Sequence, residues 1–132
     1  MSIKWDGHTH TRFCYHGSSA PQEEYLDQAV KLGFERYTIS EHPPLPQGWI
    51  GNAALFEELA MPEAELPLYF AYVKQMQEQY SGSIEITSGL ELDYLPGRLD
   101  YTERLFGPLA DGAGGCRLLR SLFARQGRHA VY

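Results

Sequence analysis

The chain has 132 residues and a mass of 15.0 kDa, with 43% hydrophobic and 21% charged residues, which excludes global disorder and fits one domain or a piece of a larger one. Eleven basic against seventeen acidic side chains give a net charge of −6, the sign opposite to that of a general nucleic-acid binder. No apolar run is long enough to span a membrane, the start Met1-Ser2-Ile3-Lys4-Trp5-Asp6 has no signal-peptide core, and Cys14 and Cys116 are too few for a disulfide framework, so the expectation is a cytoplasmic protein without nucleic-acid or membrane partners.

Ile3 to His10 reads as a strand running into a polar loop. Ser19 opens a helix-start pattern, with Pro21 near the first turn, Gln22 three residues after the cap, and Glu23 and Glu24 against the positive helix end. Tyr25, Leu26, Ala29, Val30 and Gly33 share one helical face, and Gly33 suits the C-cap. Phe34 to Ser40 is rich in β-formers and predicts a buried strand, with Pro43, Pro44, Pro46 and Gly48 forcing a loop after it. Glu63 to Tyr80 is the strongest helix: Leu66, Tyr69, Phe70, Val73, Met76 and Tyr80 repeat at helical spacing as a core stripe. A third strand is expected from Ile84 to Tyr94, ended by Pro96-Gly97, and a short helix from Arg98 to Phe106. Strands alternating with helices predict an α/β fold with a parallel sheet, in which functional groups collect at the C-terminal strand ends.

The polar residues follow that rule. Asp6-Gly7-His8-Thr9-His10 ends the first strand, Ser40-Glu41-His42 the second and Gly89-Leu90-Glu91-Leu92-Asp93 the third, with His16 in the first loop. His8 and His10 are two apart, which on a strand puts them on one face, roughly 6.6 Å apart along it, where two imidazoles can converge on one cation. Unpartnered histidines and carboxylates are costly to bury, and a metal cluster removes that cost. Each residue also has a plainer reading. His8 and His10 can be solvated strand-end residues, His42 can pack on Pro43, and Glu41 can be a surface acid. Glu91 either caps the next helix or, on the opposite face from Leu90 and Leu92, points into a barrel mouth that Asp93 shares. Cys14 reads as packing rather than a ligand, and Asp6 as a turn former before Gly7.

Composition breaks at Gly112. Residues 112–132 hold Arg117, Arg120, Arg125 and Arg128 and none of the seventeen acidic side chains. The expected organisation is therefore residues 1–111 as a partial domain and 112–132 as an atypical basic tail.

His8-Thr9-His10-Thr11, Cys14-Tyr15-His16-Gly17, Ile39-Ser40-Glu41-His42-Pro43 and Gly89-Leu90-Glu91-Leu92-Asp93-Tyr94-Leu95-Pro96-Gly97 resemble, in order and spacing, the PHP (polymerase and histidinol phosphatase) superfamily, and within it the monofunctional histidinol-phosphatases of the Gram-positive type. A generic amidohydrolase would share only the first segment. A metallo-β-lactamase would need Asp and His where Arg12 and Phe13 stand. The resemblance covers about residues 3–109 and implies the N-terminal half of a distorted (β/α)7 barrel holding up to three divalent ions of Zn, Mn or Fe. It implies His8 and His10 as ligands of the first ion, Glu91 bridging the first and second as the catalytic carboxylate, and His16 and His42 on the third. The implied reaction is hydrolysis of L-histidinol phosphate, a small-molecule phosphate ester, to L-histidinol and phosphate in histidine biosynthesis. Metal-bound water has its pKa lowered to about 7 and attacks phosphorus in line, without a phosphoenzyme. Arg12 stands beside the metal loop, either holding a phosphate oxygen or solvated at the surface. Alternatives are another PHP-type phosphoesterase, against whose nuclease members the acidic charge argues, or a non-catalytic metal-binding remnant.

The family places a strand reading Ser-Val-His-Phe after a Gly-Pro-Leu like that of residues 107–109. Leu119 to Gln126 can be written in codons whose next frame reads Ser-Val-His-Phe-Leu-Pro-Gly, so the tail is read as out of frame. A half-barrel leaves sheet edges uncovered, which calls for a homo-oligomer and implies weak metal retention and little or no phosphatase activity for the isolated 132-residue chain.

Overall fold

The computed structural model describes residues 2–15 and 17–111, with side chains described as far as Leu105. His16 and the basic tail, on which two of the expectations above fall, lie outside the described residues. Contacts divide the chain into two units, Met1–Glu91 and Leu92–Tyr132. The first unit runs β1 (Trp5–Thr9), α1 (Gln22–Lys31), β2 (Arg36–Glu41), α2 (Ala53–Leu59), a 3-10 turn (Glu63–Glu65), α3 (Leu66–Gln79) and β3 (Glu85–Leu90); the second contains α4 (Leu99–Asp111).

The three strands form one parallel sheet in the order β1-β2-β3, as the alternation of strands and helices predicts. The sheet is not closed among the described residues. β2 is central, and every residue from Tyr37 to Glu41 is buried, the unbroken run that marks a parallel strand covered on both faces. β2 and β3 pair in regular register from Arg36↔Glu85 to Glu41↔Leu90. β1 does not: Asp6 pairs with Tyr37 but Thr9 with Ile39, so β1 spends three residue steps where β2 spends two, the signature of a bulge.

α1 is closed by a Schellman arrangement: Gly33, at φ 76°, donates its N–H to the Val30 carbonyl, and Phe34 donates to Ala29. That left-handed position is where glycine fits without strain. The N-terminus differs from expectation. Pro21 occupies the cap position with no side-chain bond, and the nearby hydroxyl in use is Ser18, which accepts from the Ala20 N–H. Only Leu26 and Ala29 of the expected stripe are buried; Tyr25 and Val30 are exposed.

α3 is the principal packing helix. Leu66, Tyr69, Val73, Met76 and the following Tyr80 are buried, which matches the predicted stripe apart from Phe70, left half-buried. Its first turn contains Pro67, which has no N–H to leave unpaired there, and the preceding turn is 3-10 rather than α. The Tyr69 hydroxyl contacts the carbonyls of Ile39 (3.0 Å) and Gly89 (2.6 Å), binding α3 to both β2 and β3. Tyr80, at the C-cap of α3, donates to Asp27 of α1 at 2.6 Å, which ties the end of α3 to α1. Two expectations are corrected. β3 stops at Leu90 rather than Tyr94, and a helix not expected from the sequence, α2, follows Asn52, whose side chain caps it by accepting from the Leu55 N–H.

Candidate metal centre

All three parallel strands deliver their polar residues at the C-terminal edge. His8 stands next to last in β1 and His10 just beyond it; Glu41 is the last residue of β2, with His42 next; Glu91 follows β3 directly. The Glu91 N–H donates to the Glu41 carbonyl at 2.9 Å, which carries the β2–β3 pairing one step past the strand end and fixes where Glu91 leaves the sheet.

The side chains converge. His8 Nε2 lies 3.0 Å from His10 Nε2 and 3.0 Å from Glu91 Oε2, and His10 Nε2 lies 3.4 Å from the same oxygen. His42 joins them with Nδ1 3.5 Å from Glu91 Oε2 and its ring stacked on His10 at 4.5 Å between centroids. The site faces solvent: side-chain exposure runs from 28% at His42 to 54% at His8, which leaves an entry path for a ligand.

The donor set fits a cation. Two ligand atoms about 2.1 Å from one ion, at angles between about 90° and 110°, stand about 3.0–3.4 Å apart, and the His8, His10 and Glu91 atoms have that spacing. A carboxylate oxygen and two imidazole nitrogens crowded at this distance are rich in lone pairs and poor in protons. A divalent ion would satisfy all three at once.

A second group, His10, Cys14 and His42, also has ligand atoms within 4.8 Å of one another. Cys14 is buried. His10 belongs to both groups, so the two are not independent.

The structure thus brings His8, His10, His42 and Glu91 together, and places His42 against His10 and Glu91 rather than merely on Pro43. His16 lies outside the described residues. Asp93 is exposed and belongs to the second unit, and β3 has ended before it, so strand alternation no longer applies there.

Glu41 overturns the surface-acid reading. It is fully buried, accepts three hydrogen bonds and has a fourth polar contact with His10. Oε1 takes His10 Nδ1 at 2.9 Å and the His42 backbone N–H at 3.0 Å, and Oε2 takes the Thr11 backbone N–H at 2.8 Å and hydroxyl at 2.7 Å. The partial signal in the sequence is its place at the end of the β-former stretch Tyr37-Thr38-Ile39, directly before His42. Nearby, Tyr15 donates to Glu65 Oε2 at 2.7 Å, and that bond, then burial and the carboxylate's charge, push its pKa up to about 12. Its phenol is held as a hydrogen-bond donor.

The PHP domain family model matches residues 6–123. The chain belongs to the PHP family. The match continues past the composition break at Gly112. The histidinol-phosphatase of Bacillus subtilis is 40% identical over 92 residues, 70% of this PHP chain and 34% of the relative. The "Probable histidinol-phosphatase" of Deinococcus radiodurans is 28% identical over 102 residues, 77% of the chain and 36% of the relative. Among solved structures, hisK of Listeria monocytogenes, assigned as a histidinol phosphatase, superposes with a TM-score of 0.75 at 34% identity, over 81% of this chain and 41% of that one. The chain spans about a third of the length of the curated relatives it matches. The parallel α/β sheet is the portion of the PHP fold that these residues supply.

Proposed function

We propose that this chain carries the first three strand ends of a metal-dependent phosphomonoesterase site, and that the protein it represents hydrolyses L-histidinol phosphate to L-histidinol and phosphate in histidine biosynthesis. The observation that carries the reading is the His8–His10–Glu91 triangle, with ligand atoms 3.0 to 3.4 Å apart at adjacent ends of a parallel sheet. Similarity to the Bacillus subtilis histidinol-phosphatase supports the substrate.

In this reading His8, His10 and Glu91 would hold divalent ions at the strand ends, and His42, with His16, would serve a further one. Nitrogen and oxygen donors of this kind suit Zn, Mn or Fe. Such ions, when bound, supply a hydroxide at neutral pH and charge to offset that on the phosphoryl oxygens. The chain's own contribution is positional: Glu91 keeps a carboxylate between three imidazoles, and the open mouth admits a phosphate ester. A second copy would cover the outer edges of β1 and β3, and the cytoplasm is the expected compartment.

The test is calorimetric titration of the 132-residue chain and its His10→Ala variant with Mn²⁺ or Zn²⁺, with phosphate release followed in parallel. Ion binding that disappears in the variant is expected, with turnover by the isolated chain weak or absent and, where it is seen, faster for L-histidinol phosphate than for unrelated phosphomonoesters. Binding indifferent to His10, or no discrimination among esters, overturns the reading.

A further inference from the structure

We propose that Glu41 is a positioning residue that holds His10 as its Nδ1–H tautomer, so that the Nε2 lone pair faces His8 and Glu91, and that the same carboxylate locks the exits of β1 and β2 together. The inference rests on the reading of Nε2 as the ion-facing nitrogen, but its structural half can be tested without any ion.

A neutral imidazole carries one N–H, and a carboxylate only accepts. With the fully buried Glu41 Oε1 at 2.9 Å from Nδ1 of the half-buried His10, the proton belongs on Nδ1. The other tautomer would set a ring lone pair against the oxygen of a carboxylate that is itself buried, at a cost in unpaired polar contact. It would also aim an N–H into the space between His8 Nε2 and Glu91 Oε2, where an ion would need a lone pair. The nitrogen that binds is thus selected by a residue on the neighbouring strand, the relationship by which outer carboxylates orient metal-bound histidines.

The remaining bonds give Glu41 its second task. Thr11 lies just beyond β1 and clamps Oε2 with both its N–H and its hydroxyl, while the His42 N–H beyond β2 reaches Oε1. One side chain therefore ties the backbone after β1 to the backbone after β2. It does so where β1 is irregular and the sheet ladder alone sets the position of His10 poorly. All four accepting positions are taken, and Glu41 belongs to neither group of converging ligand atoms, so it is not itself a ligand.

The tautomer is read from long-range ¹H–¹⁵N spectra of the histidine rings in the uniformly labelled, metal-free 132-residue chain, at a pH well above the usual histidine pKa of about 6.5. His10 is expected with a protonated Nδ1 and a bare Nε2. Glu41→Gln puts an amide where a carboxylate stood, so one side of the site loses its acceptor. His10 is expected to move toward the Nε2–H form, and Mn²⁺ affinity to fall about 10- to 100-fold. Thr11→Val removes a donor to Glu41 while leaving its contact with His10, and is expected to keep the wild-type tautomer. The proposal is overturned if wild-type His10 is mainly Nε2–H, or if Glu41→Gln changes neither tautomer nor affinity. Should Glu41→Gln not fold, the wild-type and Thr11→Val spectra decide. A wild-type chain that binds no Mn²⁺ but shows the Nδ1–H form sinks the metal reading and leaves the role of Glu41 standing.

Discussion

Replacing Tyr69 by Phe deletes one hydroxyl from a fully buried position. The oxygen sits 3.0 Å from the Ile39 carbonyl and 2.6 Å from that of Gly89, and its single proton is shared between them. The ring keeps its edge contact with Phe13 at 5.9 Å, so packing is nearly conserved and the loss is polar. A buried hydrogen bond contributes about 1 kcal/mol net, and two carbonyls left facing a phenyl edge raise the cost toward about 3 kcal/mol. With a urea m-value of about 1–2 kcal/mol/M, the unfolding midpoint moves down by about 1 M or more. Ile39 and Gly89 each stand two residues before the acid that leaves their strand, Glu41 or Glu91, so Mn²⁺ affinity is expected to fall with stability. Urea unfolding followed by the fluorescence of Trp5 and Trp49, with Mn²⁺ titration of the folded variant, measures both. A loss below about 0.5 kcal/mol, the size of an ordinary surface substitution, would refute the argument that this hydroxyl binds the strand ends to α3.

Glu91→Gln is expected to weaken Mn²⁺ binding at least about tenfold, or 1.4 kcal/mol, while the metal-free chain melts nearly as before because Glu91 is part-exposed; calorimetry and thermal unfolding separate the two effects. Burial, then the bond to Asp27, pushes the Tyr80 pKa up to about 12. A raised tyrosine pKa means that the unfolded chain releases its proton first. The associated stability is therefore complete below about pH 10 and lost as pH rises toward 12. Urea midpoints across that window should fall more steeply in the wild type than in Tyr80→Phe, and parallel slopes would contradict this. Leu26→Ala, at the fully buried centre of α1, should cost about 2–5 kcal/mol, measured by the same unfolding experiment.

The order of elements was legible because hydrophobic period and strand-end chemistry agreed. β2 and α3 show apolar residues at strand and helix spacing, and the His, Glu and His-x-His groups fall where parallel sheets put ligands. Less local features were hidden. α2 has no buried residues, so it leaves no apolar stripe, and its one clue is Asn52 three residues ahead of the amide it caps. Ser19 looked like a cap because its neighbours were right, but Pro21 already holds the chain at the cap position with φ −57° and ψ 139°. β3 seemed longer because Leu92 and Tyr94 continue the apolar alternation past the point where β2 stops pairing. Glu41 was misread for the most general reason: an acid is buried only when several donors surround it, and its donors come from Thr11, His10 and the backbone of His42, which no local window of sequence unites.

The extra residue in β1 has a bearing on how this motif tolerates change. Alternation alone would fix the directions of His8 and His10 relative to the sheet; here the count of residues between Asp6 and Thr9 does so as well. Shortening that stretch by one would restore even pairing and turn His8 to the reverse side, while a like-for-like swap at Gly7 would leave its aim intact. Length, more than composition, is the conserved quantity to expect in the opening strand of such proteins.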